Sequence, residues 1–155
     1  MASWAQFESE QSEFAERVRS RLDAYVHKTL ATIRKDGGPR ISGTELNFKE
    51  GEVWIGSMLD AVKAHDLQRD PRYAIHSGSE DPPGWSGDAK FAGLAEEITD
   101  PDRIIAINGA EHAGKSHLFR LDLEVVTTIG LNAARDVLLV ETWKPGEPLR
   151  TVARD

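Results

Sequence analysis

The sequence predicts a mainly β, α+β domain: an antiparallel barrel, closed or nearly so, with helices outside it. Three observations carry this. Short runs rich in Thr, Ile, Val and aromatics are separated by Gly, Pro and Asp turn chemistry. Phe119, Leu121, Leu123 and Val125 alternate with Arg120, Asp122 and Glu124, the pattern of a strand with one wet face. The strands do not alternate regularly with helices, which argues against a parallel sheet. At 155 residues, the chain is expected to form one domain over 1–155.

Element by element, Trp4, Phe7, Phe14, Val18, Leu22 and Tyr25 recur at spacings of three, four or seven, which predicts an amphipathic helix over about 3–25. Ser3 and Gln6 suit a capping box at its start. Strands follow at 29–34, 40–48 and 53–57, joined by turns at 36–39 and 49–51. A short helix over about 60–69 stops before Pro71, which cannot continue the helical ladder. A strand at 72–77 leads into a loop at 78–87 holding Pro82, Pro83 and Trp85. After a strand at 90–98, Asp100 and Pro101 set the cap and first turn of a helix ending near Gly109. Strands at 117–126 and 137–143 complete a set of seven strands and three helical pieces.

Composition narrows the function. Lys and Arg number 19 against 26 Asp and Glu, a net charge of −7, which disfavours general binding to nucleic acid or anionic membrane. Cysteine is absent, so thiol nucleophiles, disulfides, iron–sulfur clusters and thiolate zinc sites are excluded. No apolar run is long enough to span a bilayer, and Glu8, Glu10 and Glu13 stand where a signal peptide needs positive charge, so a cytoplasmic location is expected. His112 and His117 lack a neighbouring carboxylate pattern, so no metal site is expected.

Residues 109–116, GAEHAGKS, match the phosphate-loop pattern G-x4-G-K-[ST] in full. That loop works only when it leaves a buried strand and opens a helix, whose first amides then face the phosphates. Here a capped helix precedes the motif and an alternating strand follows it. A nucleotide hydrolase is therefore a distant third reading, and Lys115 and Ser116 are expected to decorate a turn.

A second constellation carries more chemistry. Arg40, Ser42 and Thr44 lie two apart on one strand and share a face, and a cation with two hydroxyls calls for a polar partner. Ser57 ends the neighbouring strand, and Lys63 opens the next helix. Gly43 and Gly56 leave the sheet without side chains where a flat ring or a phosphate could approach. Together these residues predict an anion pocket with an adjoining slot.

The segments TLATIRKDGGPRISGTELNF, EGEVWIGSM and KAHDLQRDPRYAIHS, followed by GDAKFAGLAEEI, HLFRLDL and VETWKPG, resemble the flavin-binding split barrel of pyridoxamine 5'-phosphate oxidase and its small bacterial, actinobacterial-type relatives, including flavin and deazaflavin reductases. The resemblance spans roughly residues 14–152. It implies an FMN-binding split β-barrel with peripheral helices, and a homodimer with the cofactor at the subunit interface. Carried over by position, it implies that Arg40, Ile41, Ser42, Gly43 and Thr44 line the cofactor, that Gly56 and Ser57 contact it, and that Lys63 binds its phosphate. Two departures remove cations: Ala61-Val62 stands where the oxidase pattern has Ser-Arg, and Glu45 where a lysine is usual. The C-terminal substrate motif of the true oxidases is also missing, so pyridoxine phosphate oxidation is not expected.

The expected function is that of an oxidoreductase using FMN, or alternatively coenzyme F-420, on a small organic substrate. The rival expectation is a non-catalytic flavin or deazaflavin carrier. Trp85 is a candidate lid over the ring, and His65, His76 and His117 are candidate proton donors.

Overall fold

The computed structural model describes residues 1–155. The chain opens with two helices rather than one, α1 (Trp4–Glu10) and α2 (Ser12–Asp23), because Gln11 leaves helical geometry at φ −143°. Ser3 Oγ accepts from the Gln6 amide at 3.0 Å, as the capping pattern predicts. The break at Gln11 lets both apolar faces reach the core, Trp4 and Phe7 from α1 and Phe14, Val18 and Leu22 from α2. Phe7 stacks on Trp143 at 4.6 Å, whose indole N–H donates to Glu10 at 3.0 Å.

Nine strands follow, all paired antiparallel: β1 (Lys28–Ile33), β2 (Pro39–Thr44), β3 (Asn47–Lys49), β4 (Glu52–Met58), β5 (Arg72–His76), β6 (Asp88–Ile98), β7 (Ser116–Leu131), β8 (Leu138–Trp143) and β9 (Arg150–Arg154). The helices α3 (Val62–Arg69) and α4 (Pro101–Asn108) lie between them. The sheet runs β2-β1-β5-β6-β7-β4-β3, with β8 and β9 added beyond β7. Its two ends, β2 and β3, are consecutive in the chain yet share no ladder, so the barrel is split there. The expected single strand over 40–48 is thus two strands broken at Glu45-Leu46. β7 runs five residues past its expected end, and β9 was not anticipated.

Alternation sorts the strands into an inner and an outer surface. Leu30, Val53, Ile55, Ile75, Phe91, Leu121, Leu123 and Val126 form the core with α1 and α2. Trp54 and Leu118 point the other way and pack under α4 with Ile104 and Ile107. β6 bends at Ala92/Gly93, where the register with β7 shifts. A Cβ on Gly93 would sit 1.9 Å from the Asp122 carbonyl oxygen, so only glycine permits this approach. No helix is long and apolar enough to cross a membrane.

The helix α3 is tied to the barrel by Asp66, which is 2% exposed. Its carboxylate accepts from Thr32 Oγ1 of β1 at 2.8 Å, Arg40 Nε of β2 at 2.7 Å and Arg69 of α3 at 3.0 Å. Burial alone would raise its pKa, but hydrogen bonds from Arg40, Thr32 and Arg69 outweigh that and hold the carboxyl below its usual value. A depressed carboxylate stabilises the fold above its unfolded pKa and loses that contribution as pH falls through the folded one. Asp66→Asn is therefore expected to cost about 2 kcal/mol at pH 7 and lower Tm by roughly 4–8 °C. In thermal denaturation below about pH 4, the gap from the parent should narrow as the parent carboxyl protonates.

Candidate functional site

A broad hollow lies where the barrel fails to close. It measures about 620 Å³ and is lined by Gly43 and Thr44 at the end of β2, Glu45, Leu46 and Asn47 in the break, and Gly56, Ser57 and Met58 at the end of β4. Lys63 of α3 forms one wall. Asn108 at the end of α4, then His112, Lys115 and Ser116, form another, and His27 stands at the rim. The volume is within the range of small-molecule and cofactor sites.

Two features make this hollow suited to an anion bearing hydroxyls. Thr44 and Ser57 are buried, yet their hydroxyls reach only the carbonyls of Glu45 and Met58, at 3.5 Å, the outer limit of a hydrogen bond. Buried hydroxyls so weakly held are suited to take a better partner. Lys63 donates from Nζ to the Gly43 carbonyl at 2.9 Å, and burial pushes its ammonium pKa down. The position of Gly56 lets Asn108 close over the sheet, since a Cβ there would meet Asn108 Nδ2 at 3.1 Å.

Of the nine residues expected at the site, Gly43, Thr44, Gly56, Ser57 and Lys63 come together here. The other four lie outside this cavity. Arg40 faces inward, where its Nε meets the Asp66 carboxylate at 2.7 Å. Ser42 shares that face opposite Leu30. Ile41 alternates to the outer surface and is 74% exposed. Trp85 belongs to the loop preceding Asp88, which pairs with Ile129, whereas the cavity begins at Ser116 at the other end of β7. Its carbonyl accepts from Arg135, so within one chain Trp85 is no lid over this cavity.

The turn 109–116 belongs to the site for a reason its motif did not give. The helix α4 precedes it, a single 3-10 turn spans Ala110–His112, and β7 begins at Ser116, so no α-helix opens from the motif. Instead Lys115 and Ser116 bring side chains to the cavity wall, with His112 beside them. Asn47, Met58 and Asn108 had no distinguishing signal in the sequence, and His27 lies outside every motif read there.

Antiparallel strands split at a seam, with a hollow there and helices outside, define the class of small split-barrel domains. The family model described as Pyridoxamine 5'-phosphate oxidase matches residues 14–130, and the chain belongs to that family. Among curated proteins, none matches the chain in sequence. Among solved structures, it is similar to a pyridoxamine 5'-phosphate oxidase-related, FMN binding protein from Nostoc punctiforme, with TM-score 0.63, 14% identity and coverage of 94% of this chain and 96% of that one. It is also similar to PhzG from Burkholderia lata in complex with tetrahydrophenazine-1-carboxylic acid, with TM-score 0.63, 13% identity and coverage of 95% and 93%. A heme binding protein from Mycobacterium smegmatis gives TM-score 0.56 at 18% identity, covering 85% of this chain and 55% of that one. At these identities the likeness is one of fold.

The half-buried ammonium of Lys63 is held at a cost that an anion would relieve. Lys63→Met keeps the apolar stem and removes the charge. The free protein should then melt at the same temperature or up to about 3 °C higher by scanning calorimetry; a clear loss of stability would mark Lys63 as structural.

Proposed function

We propose that the cavity binds a phosphorylated flavin-type coenzyme, FMN first and coenzyme F-420 as the alternative, and that a homodimer of this chain uses it to transfer a hydride to or from a small organic substrate. The observation that carries the reading is the set of Thr44, Ser57 and Lys63 at the seam: two buried hydroxyls held only by 3.5 Å bonds to carbonyls, and an ammonium with two N–H donors to spare. Lys63 and Lys115 would neutralise the coenzyme's phosphate from two walls, and Gly43 leaves room for a ring to lie against the strand. The coenzyme ring supplies the redox chemistry when bound. The residues of this chain bind it, orient it and exclude water. The name of the Nostoc relative, an FMN binding protein, supports the choice of FMN.

The homodimer rests on the outer sheet surface. Ile41, Ala31, Ala74, Ala92 and Val125 stand opposite one another across five strands, and the register makes them one continuous apolar row. They line a shallow apolar hollow of about 320 Å³. A carboxylate at Ile41, which is 74% exposed, costs the single chain little but opposes burial of this face in a dimer. Ile41→Glu should therefore shift a dimer toward monomer in light scattering, with the circular dichroism spectrum unchanged.

One observation favours the second reading, a carrier without turnover. His27 and His112, the histidines at the cavity, lie 3.7 and 3.8 Å from Glu45 and Glu111, too far for those carboxylates to orient them as proton donors. Reoxidation of the reduced coenzyme by a quinone would favour the enzyme, and tight binding with no acceptor the carrier.

A titration separates both from no site at all. FMN should bind more tightly than riboflavin, which lacks the phosphate. Lys63→Met should weaken FMN by about 10- to 100-fold, an ion-assisted hydrogen bond of about 1.5–3 kcal/mol, while sparing riboflavin. Equal losses for both ligands would remove Lys63 from the phosphate site.

A further inference from the structure

Beside the cavity, five side chains and one amide close a ring. Glu97 of β6 accepts through Oε1 from His117 Nδ1 of β7 at 2.7 Å, and through Oε2 from Gln68 Nε2 of α3 at 2.9 Å. Gln68 Oε1 accepts in turn from His65 Nδ1 at 3.1 Å. His65 Nε2 lies 3.6 Å from Asp60 Oδ1, and the Asp60 amide donates to His117 Nε2 at 3.2 Å. The two partners of His117 fix its tautomer: Nδ1 carries the proton toward the carboxylate, and Nε2 offers a lone pair to the amide.

From this geometry we infer that His117 is a positioning residue for the cofactor cavity, acting through the backbone of Asp60. Asp60 sits at φ 59°, a left-handed conformation that a non-glycine residue adopts at some cost. It lies in the turn between β4, whose last residues Ser57 and Met58 line the cavity, and α3, whose first turn carries Lys63. The neutral imidazole of His117 pins that turn to β7. The inference rests on the coenzyme reading for its effect on binding, but not for the hydrogen bond itself.

The same bond makes the grip sensitive to acid. An imidazolium at His117 presents N–H to the Asp60 N–H, and the bond is lost, while Glu97 still holds the ring through Nδ1. His65, the titratable group facing from α3, stands with Nε2 3.6 Å from Asp60 Oδ1, a contact that does not depend on His117. Glu97 on β6, Asp60 in the turn and His65 on α3 are the charged or titratable partners of this ring. Loss of the His117 bond frees the turn from β7, so affinity for the coenzyme falls as pH falls.

The test compares the parent chain, His117→Gln and His117→Ala by FMN titration from about pH 8 to pH 5.5, with exchange of the Asp60 amide followed in ligand-free protein. Glutamine keeps an acceptor near the Nε2 position and cannot be protonated. Beyond the loss common to all three chains from the phosphate of FMN, from His65 and from the histidines lining the cavity, the parent should weaken by about two- to tenfold over that range. His117→Gln should show only the common loss, and His117→Ala should bind less tightly throughout with a faster-exchanging Asp60 amide. Parallel pH profiles for the parent and His117→Gln, or an unprotected Asp60 amide in the parent at pH 8, would overturn the inference. If FMN bound none of the three, the coenzyme reading would fail, while the exchange of the Asp60 amide would still decide the role of His117.

Discussion

The cavity depends on a carboxylate that never reaches it. Asp66 is buried under α3, and a charge in that position is tolerated only because three donors converge on it. Those donors come from β1, β2 and α3, so satisfying one charge fixes the helix against two strands. Three residues earlier in α3, Lys63 then reaches the Gly43 carbonyl at the end of β2. The cation of the site is thereby aimed from a helix that the barrel interior holds in place.

Arg40 shows how this constraint divides the work of the strand. Alternation turns Arg40, Ser42 and Thr44 inward, but they meet different neighbours along the barrel axis. Arg40 reaches Asp66, and Thr44 reaches the seam where β2 and β3 part. The lysines that line the hollow are therefore Lys63 of α3 and Lys115 of the turn before β7. Ala61 and Val62, in place of the polar pair usual in the oxidases, leave Val62 exposed beside that wall.

Much of this was legible in the sequence, and what was not has physical causes. Turn residues and period-two alternation identified the strands, and five of the nine expected site residues meet in the cavity because they end adjacent strands or begin the helix between them. The break at Gln11 was hidden because apolar residues on either side keep helical spacing through it. The short edge strand β9 has only Val152 half-buried, too little apolar content to signal a strand. Arg40 was grouped with Thr44 because a shared face says which side a residue lies on, not how far along the strand its partner stands. The ring of Glu97, His117, Asp60, His65 and Gln68 joins residues from β6, β7, a turn and α3, and no local pattern announces such a meeting.

The phosphate-loop match illustrates how the same residues reach an anion by different physics. In a true phosphate loop the positive end of a helix does the holding, through backbone amides. Here the C-terminal end of α4 faces the cavity with Asn108, and that end is the negative one. Left bare, its carbonyls would repel an anion. Lys49 donates to the Ala106 carbonyl at 2.7 Å and Asn47 to that of Ile107 at 3.2 Å, so the adverse end is capped by β3 before it meets the seam. With the carbonyls covered, the side chains of Lys115 and Ser116 are left as the polar surface of that wall. The hollow thereby presents a basic side chain on each of two walls, Lys115 on the one that α4 leads into and Lys63 on the one built by α3.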